Sequence, residues 1–354
     1  SAMTMMTDPR HFKLRLFIEG NIIGVATGMV IALFRYLLEL SEEYLPVLYR
    51  WLPEHIAWIP VWFLLLAICG WVLYRIVRRD GMTSGSGIPQ IKGILLGEMD
   101  MNWARVLVLK FFGAVLGIGA GMSLGREGPS VQLGACLGQG LGRLTHRSYA
   151  ESHYLLTAGA GAGLAAAFNA PLAGVIFCLE ELTKNFSAFV LMGAISAAVT
   201  ATTVTQYFFG MQPVFHMGVV PVIDTGHMYI LLIVLGAFVG LLGLAFNPML
   251  TRSQDFYKRI PARCRLLVPL FCAGILGFLL PEILGGGSRL VDSLVVTNYT
   301  MAFLVLLLVG KFLFTMICFG SGVPGGIFLP MLVLGSVGGA VFAKIAIFFQ
   351  WMPE

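Results

Sequence analysis

Apolar residues in this chain come in long unbroken runs, separated by short stretches rich in glycine, proline and charge. Runs near 17–39, 57–76, 104–120, 187–209, 227–249, 265–281 and 301–319 each approach the roughly 20 residues a helix needs to cross a bilayer. Spanning helices are the expected elements, because a helix satisfies its own backbone hydrogen bonds where water cannot. Composition agrees with the pattern. Hydrophobic residues make up 58% of the chain and charged residues 12%, and the mean hydropathy is +0.86. A soluble domain needs a far more charged surface. The expected class is an all-α polytopic membrane protein.

The polar segments orient it. Arg10, His11, Lys13 and Arg15 precede the first run, and Arg75, Arg78 and Arg79 follow the second, while Glu42, Glu43 and Glu54 lie between. Basic residues stay on the cytoplasmic side, so the N-terminus and residues 75–80 are expected in the cytoplasm. Juxtamembrane arginines and lysines account for the net charge of +5 and call for no nucleic-acid partner. Ser1-Ala2-Met3 reads as a tag-cleavage scar, and no cleavable signal peptide is visible. Residues 1–14 are therefore expected to be scar and cytoplasmic N-terminus.

The six cysteines (Cys69, Cys136, Cys178, Cys264, Cys272 and Cys318) sit mostly within apolar runs without CxxC spacing, as small apolar packing residues do. The six histidines are scattered and form no HExxH. No metal site is expected.

Sliding the chain by 201 residues aligns 107–138 with 308–339 without a gap. Leu107, Val108, Lys110, Phe111, Gly119, Gly121, Gly125, Pro129, Leu133, Gly134 and Gly138 all meet identical residues. Identity concentrated at Gly, Pro and Lys is poorly explained by chance among apolar helices, and points to an internal repeat. The two membrane repeats are expected at 15–210 and 211–354. By the same offset, the block 151–206 has its partner at 352–407, beyond Glu354, so the second repeat is expected to be incomplete. Repeated halves suggest a transporter with its substrate site where the halves meet.

Three glycine-rich interruptions break the pattern: Gly85-Ser-Gly-Ile-Pro89, Gly125-Arg-Glu-Gly-Pro129 and Gly325-Gly-Ile-Phe-Leu-Pro330. Each precedes a segment that can be helical. A helix that starts inside the bilayer leaves its first N–H groups unpaired, and these donors, with the positive end of the helix dipole, attract an anion. The alternative is that the motifs are kinks for close helix packing; three of them, two related by the repeat, favour the site. The halves differ where Phe328 in the second meets Glu127 in the first. A carboxylate among anion-binding amides competes for the site when charged and withdraws when protonated. The alternative is a simple pair with Arg126. Glu180 and Glu181 end a further apolar segment, as a solvated helix terminus or as a point of proton uptake. Lys110 and Lys311, partners in the repeat, either raise the local potential for anions or snorkel to the membrane interface, the latter being the expectation. An embedded enzyme would need a nucleophile–base pair or metal ligands at membrane depth, and the sequence offers neither.

GSGIP at 85–89, GREGP at 125–129 and GIFLP at 326–330 resemble the three anion-site motifs of the CLC chloride channels and chloride/proton exchangers, in order, spacing and repeat relation. The resemblance spans about residues 15–350 and is nearest the bacterial exchangers. It implies an inverted-repeat fold with broken helices meeting at the midplane. It further implies that Ser86 and Gly87 with the amides of Ile327 and Phe328 hold a central anion, that Arg126 and Gly128 line an outer site, and that Glu127 is the gate. Glu181 matches the internal proton-transfer glutamate of the exchangers, with Glu180 as its neighbour on the proton path, whereas family channels usually carry a non-acidic residue there. Ser86, in place of proline, implies chloride over nitrate, and the motifs differ from those of the fluoride-exporting branch. The expected partners are chloride, protons, membrane lipid and a second copy in a homodimer; no cofactor is implied. The passive chloride channel of the same fold and a truncated inactive form are the alternatives. The family's late tyrosine that caps the central anion has no counterpart here.

Overall fold

The computed structural model describes residues 9–219, 222 and 225–353; Ser1-Ala2-Met3, read above as a scar, lies outside them. Among these residues the fold is fourteen α-helices: α1 (Pro9–Trp51), α2 (Ile59–Arg79), α3 (Ile88–Leu95), α4 (Trp103–Gly119), α5 (Glu127–Leu144), α6 (Tyr149–Phe168), α7 (Pro171–Phe177), α8 (Ala188–Phe209), α9 (Gly226–Lys258), α10 (Ala262–Arg265), α11 (Leu267–Leu279), α12 (Ser288–Val296), α13 (Met301–Gly320) and α14 (Phe328–Phe348). Every apolar run found in the sequence is a helix at that place. Among the described residues seven helical stretches are long and apolar enough to cross a membrane; they include 328–348, which the run pattern did not, and leave out the 17-residue α4 of the run at 104–120. At about 1.5 Å per residue, the 43-residue α1 is roughly twice as long as the hydrocarbon core is thick, so it crosses at a steep tilt or projects beyond the core.

Two helices outside the apolar runs, α5 and α6, are buried along most of their length. They are surrounded by protein rather than lipid, so Gly, Ser and Gln suit them where leucine would not fit. Their backbones touch. A Cβ on Gly134 would overlap the Gly159 carbonyl, and one on Gly159 would overlap that of Gly134. With no hydrophobic force between helices in lipid, small residues that admit such close approach supply the packing. α1 lies on α8 in the same manner, with Gly24 against the backbone of Ala197.

The repeat is visible in three dimensions. Gly125 and Gly326, equivalent by the 201-residue offset, form an isolated antiparallel bridge in which each N–H donates to the other's carbonyl, at 2.7 and 2.9 Å. Residues related by a two-fold axis meet only on that axis, so the pseudo-two-fold runs between these glycines. The halves also interlock farther out: Gly285 N–H donates to Gly121 O at 2.9 Å, and Ser84 Oγ donates to Gly322 O at 2.8 Å.

Structure further extends the repeat to a pair that the alignment missed. α3 and α12 both follow a left-handed glycine, Gly87 at φ +91° and Gly287 at φ +95°. Both loops are tied down by a lysine. Lys110 Nζ donates to the carbonyls of Thr83 and Gly85, and Lys311 Nζ to those of Ile283 and Gly285, all at 2.6–2.9 Å. Both lysines are 0% exposed. The expectation that they snorkel is therefore wrong: each is wholly enclosed, because two turn carbonyls inside the protein need donors that no helix supplies.

Candidate functional site

Each glycine-rich motif ends one segment and starts a helix in the interior. GSGIP leads into α3, GREGP into α5 and GIFLP into α14. Proline in the first turn of these helices costs nothing there, since those N–H groups have no partner within the helix. The three starts converge. Gly325 N–H donates to Gly85 O at 3.0 Å, and a methyl on Gly128 would run into Ser86 Oγ and its carbonyl. Ser86, Gly87, Arg126, Glu127, Gly128, Ile327 and Phe328 thus lie around one point.

The Glu127 side chain is at the centre, 2% exposed. Its Oε1 accepts the backbone N–H of Phe328 at 2.7 Å. Gly125 and Gly326 close around the carboxylate so tightly that a Cβ on either would overlap its oxygens. The other oxygen, Oε2, is buried without a hydrogen-bond partner. A carboxylate pair with Arg126 is not formed. Among the described residues no ion pair joins the two, and Arg126 Nε is buried without a partner. What holds Glu127 is peptide N–H and the start of the opposing repeat's helix, the same donors that bind free anions.

Around this centre the pieces are distributed by element. Ser86 lines a cavity of about 630 Å³ together with Asp80, Ser84, Gln90, Gln254 and Phe319. Gly87 is packed so closely on Gln132 that a Cβ would displace it, and Gln132 Nε2 in turn donates to Met82 O at 2.7 Å. The Phe328 ring stands edge-on to Phe168 at 5.9 Å. Sequence reasoning missed Gln132, three residues past GREGP, and Phe168, which no motif marks.

Glu180 and Glu181 lie in a π-helical turn, Cys178–Leu182, that follows α7. Glu180 is exposed. Glu181 forms an ion pair with Lys92 of α3, a partner with no signal in the sequence. The pair opens into a cavity of about 660 Å³ lined also by His153, Thr157 and Lys184. That cavity lies at the end of the molecule where α1 begins, since Arg15 of α1 pairs with Glu151 in the first turn of α6. All six cysteines are free, and among the described residues no group of His, Cys, Asp and Glu is placed to hold a metal ion.

Helices broken in the interior, a two-fold relation between halves and a carboxylate held by a peptide N–H at the start of the opposing helix define an inverted-repeat membrane protein. The chain matches the family described as voltage gated chloride channel over residues 65–353, and it belongs to that family. It is 38% identical over 349 residues to the H(+)/Cl(-) exchange transporter ClcA of Vibrio cholerae serotype O1 (strain M66-2), which covers 94% of this chain and 73% of the relative. The crystal structure of a slow cyanobacterial Cl-/H+ antiporter superposes with a TM-score of 0.87 at 31% identity, covering 95% of this chain and 81% of the other. A CLC-type fluoride/proton antiporter superposes with a TM-score of 0.78 at 25% identity, covering 96% and 82%.

Proposed function

We propose that this protein exchanges chloride for protons across the membrane, with Glu127 as the shared gate. One observation carries the reading: the Glu127 carboxyl is enclosed where the opposing repeat's helix begins, accepting the Phe328 N–H at 2.7 Å, in a place that suits an anion. Chloride and a charged carboxylate cannot both occupy that place. Protonation removes the charge, so the side chain leaves and chloride takes its place. When chloride leaves, the side chain returns and gives up its proton. Anion and proton therefore move in opposite directions through one residue.

In this reading Ser86 and Gly87, with the amides of Ile327 and Phe328, hold a central chloride supplied through the cavity at Ser86. The amides of Arg126 and Gly128 hold one farther out. Glu181, beside the exposed Glu180, loads protons from water in its own cavity. Separate cavities for Ser86 and Glu181 support two routes that join at Glu127. The basic segments near residues 10–15 and 75–79 support a cytoplasmic position for both cavities at the inner membrane. The repeats 15–210 and 211–354 supply one half of the site each, and a homodimer is the assembled form. The 38% identity to an H(+)/Cl(-) exchange transporter supports chloride as the anion.

The test is flux from liposomes, read with chloride and proton electrodes. A chloride gradient drives protons uphill in the wild type, while Glu181→Gln stops proton movement and chloride still flows. Chloride flux without any uphill proton movement in the wild type would make the protein a passive chloride channel instead.

A further inference from the structure

The short helix α3 joins two sites. Ser86 stands just before its start and Lys92 lies in its last turn, about 9 Å apart along the axis at 1.5 Å per residue. The Lys92 ammonium forms an ion pair with the Glu181 carboxylate, 89 residues away in sequence. The two side chains are 32% and 47% exposed, and ion pairs this open contribute little to stability, so holding the fold together is a poor account of the contact. The charged and titratable groups that line the cavity with Glu181 are Lys92 from α3, His153 and Tyr154 from α6 and Lys184 after the π turn; α8 adds Val190, which carries no charge. The hydrogen bond from Lys92 comes first in holding the Glu181 carboxyl below the usual carboxylate range, and the charges of Lys92 and Lys184 add to it against the opposing effect of burial.

We propose that Lys92 is the positioning residue of the internal proton site: it holds Glu181 ionised and turned into the cavity, and lets go when Glu181 takes up a proton. This rests on the exchange reading above. The proton comes from water in the cavity and adds to a carboxylate oxygen. Lys92 keeps its own three protons and gives up one hydrogen bond. Because Lys92 rides on the helix that begins at the anion path, each protonation of Glu181 frees the far end of the element that presents Ser86.

The experiment measures proton uptake into liposomes as a function of pH at a fixed chloride gradient, for the wild type, Lys92→Met, Lys92→Gln, Lys92→Arg and Glu181→Gln. Without the ammonium the carboxyl titrates nearer its ordinary range, so in Lys92→Met and Lys92→Gln the pH of half-maximal proton flux moves up by about half a unit. Lys92→Arg, which keeps the charge, stays at the wild-type value. A salt bridge that served only the fold would lower thermal stability and leave that profile in place. Superimposable profiles for the wild type and both neutral variants, with Glu181→Gln blocking proton movement, overturn the role of Lys92 and leave the exchange reading standing. Proton flux that persists in Glu181→Gln overturns both.

Discussion

Glu127 and Phe328 occupy the same position in the two repeats, and one is hydrogen-bonded to the other: the Phe328 N–H donates to Glu127 Oε1 at 2.7 Å. The pseudo-two-fold that runs through the neighbouring bridge of Gly125 and Gly326 makes this meeting unavoidable. A site on a two-fold axis presents the same backbone from both sides. Asymmetry enters through the side chains, a carboxylate from one half and a phenyl ring from the other. The backbone is thus duplicated and the carboxylate is single.

Removing that carboxylate should leave the site open. In Glu127→Ala, chloride flux continues and is indifferent to the pH gradient, and proton flux falls to background. Paired electrode recordings from liposomes check this, and residual uphill proton movement would show that another group carries the proton.

In the proposed anion site Ser86 offers a neutral hydroxyl. A hydrogen bond to a charged partner contributes about 1.5–3 kcal/mol, so Ser86→Ala should weaken chloride binding by about tenfold or more. Titration calorimetry on detergent-purified protein gives the value. An affinity equal to that of the wild type would remove Ser86 from the anion site.

Lys110 and Lys311 each satisfy two buried carbonyls. An acceptor stripped of its donor costs about 1–3 kcal/mol, so Lys110→Met and Lys311→Met should each lose about 3 kcal/mol of stability. The near-equality is the sharper expectation, because the two lysines are symmetry mates doing the same work. Chemical denaturation in detergent measures both. A large loss in one variant beside none in the other would contradict the structural equivalence of α3 and α12.

Gly134 and Gly159 let α5 and α6 touch backbone to backbone. Backbone cannot swing aside as a side chain can, so Gly134→Val should separate the helices, and α5 carries Glu127 at its first residue. The expected outcome is loss of the monodisperse species in size-exclusion chromatography, whereas Gly335→Ala, at the repeat-equivalent position with open space around it, should elute as the wild type does.

Much of this molecule was legible from the chain. Length and hydropathy placed six of the seven candidate spans found among the described residues, because transfer of a continuous apolar segment into lipid depends on that segment alone. Glycine and proline marked the three interior helix starts, because backbone freedom and the missing N–H of proline are properties of single residues. An ungapped repeat of Gly, Pro and Lys disclosed the two halves. The burial of α5 and α6 was not legible: their surroundings are other helices, and no local pattern reports that.

Only the tertiary structure decided which groups face one another. It enclosed Lys110 and Lys311 where snorkelling was expected, paired Lys92 with Glu181, and made α3 the counterpart of α12 although GSGIP and the GGGSR at 285–289 share little beyond glycine. The physical reason is the same in each case. Hydropathy and backbone propensity are written residue by residue, whereas a hydrogen bond across 26, 89 or 201 positions exists only once packing has fixed the distance between its partners.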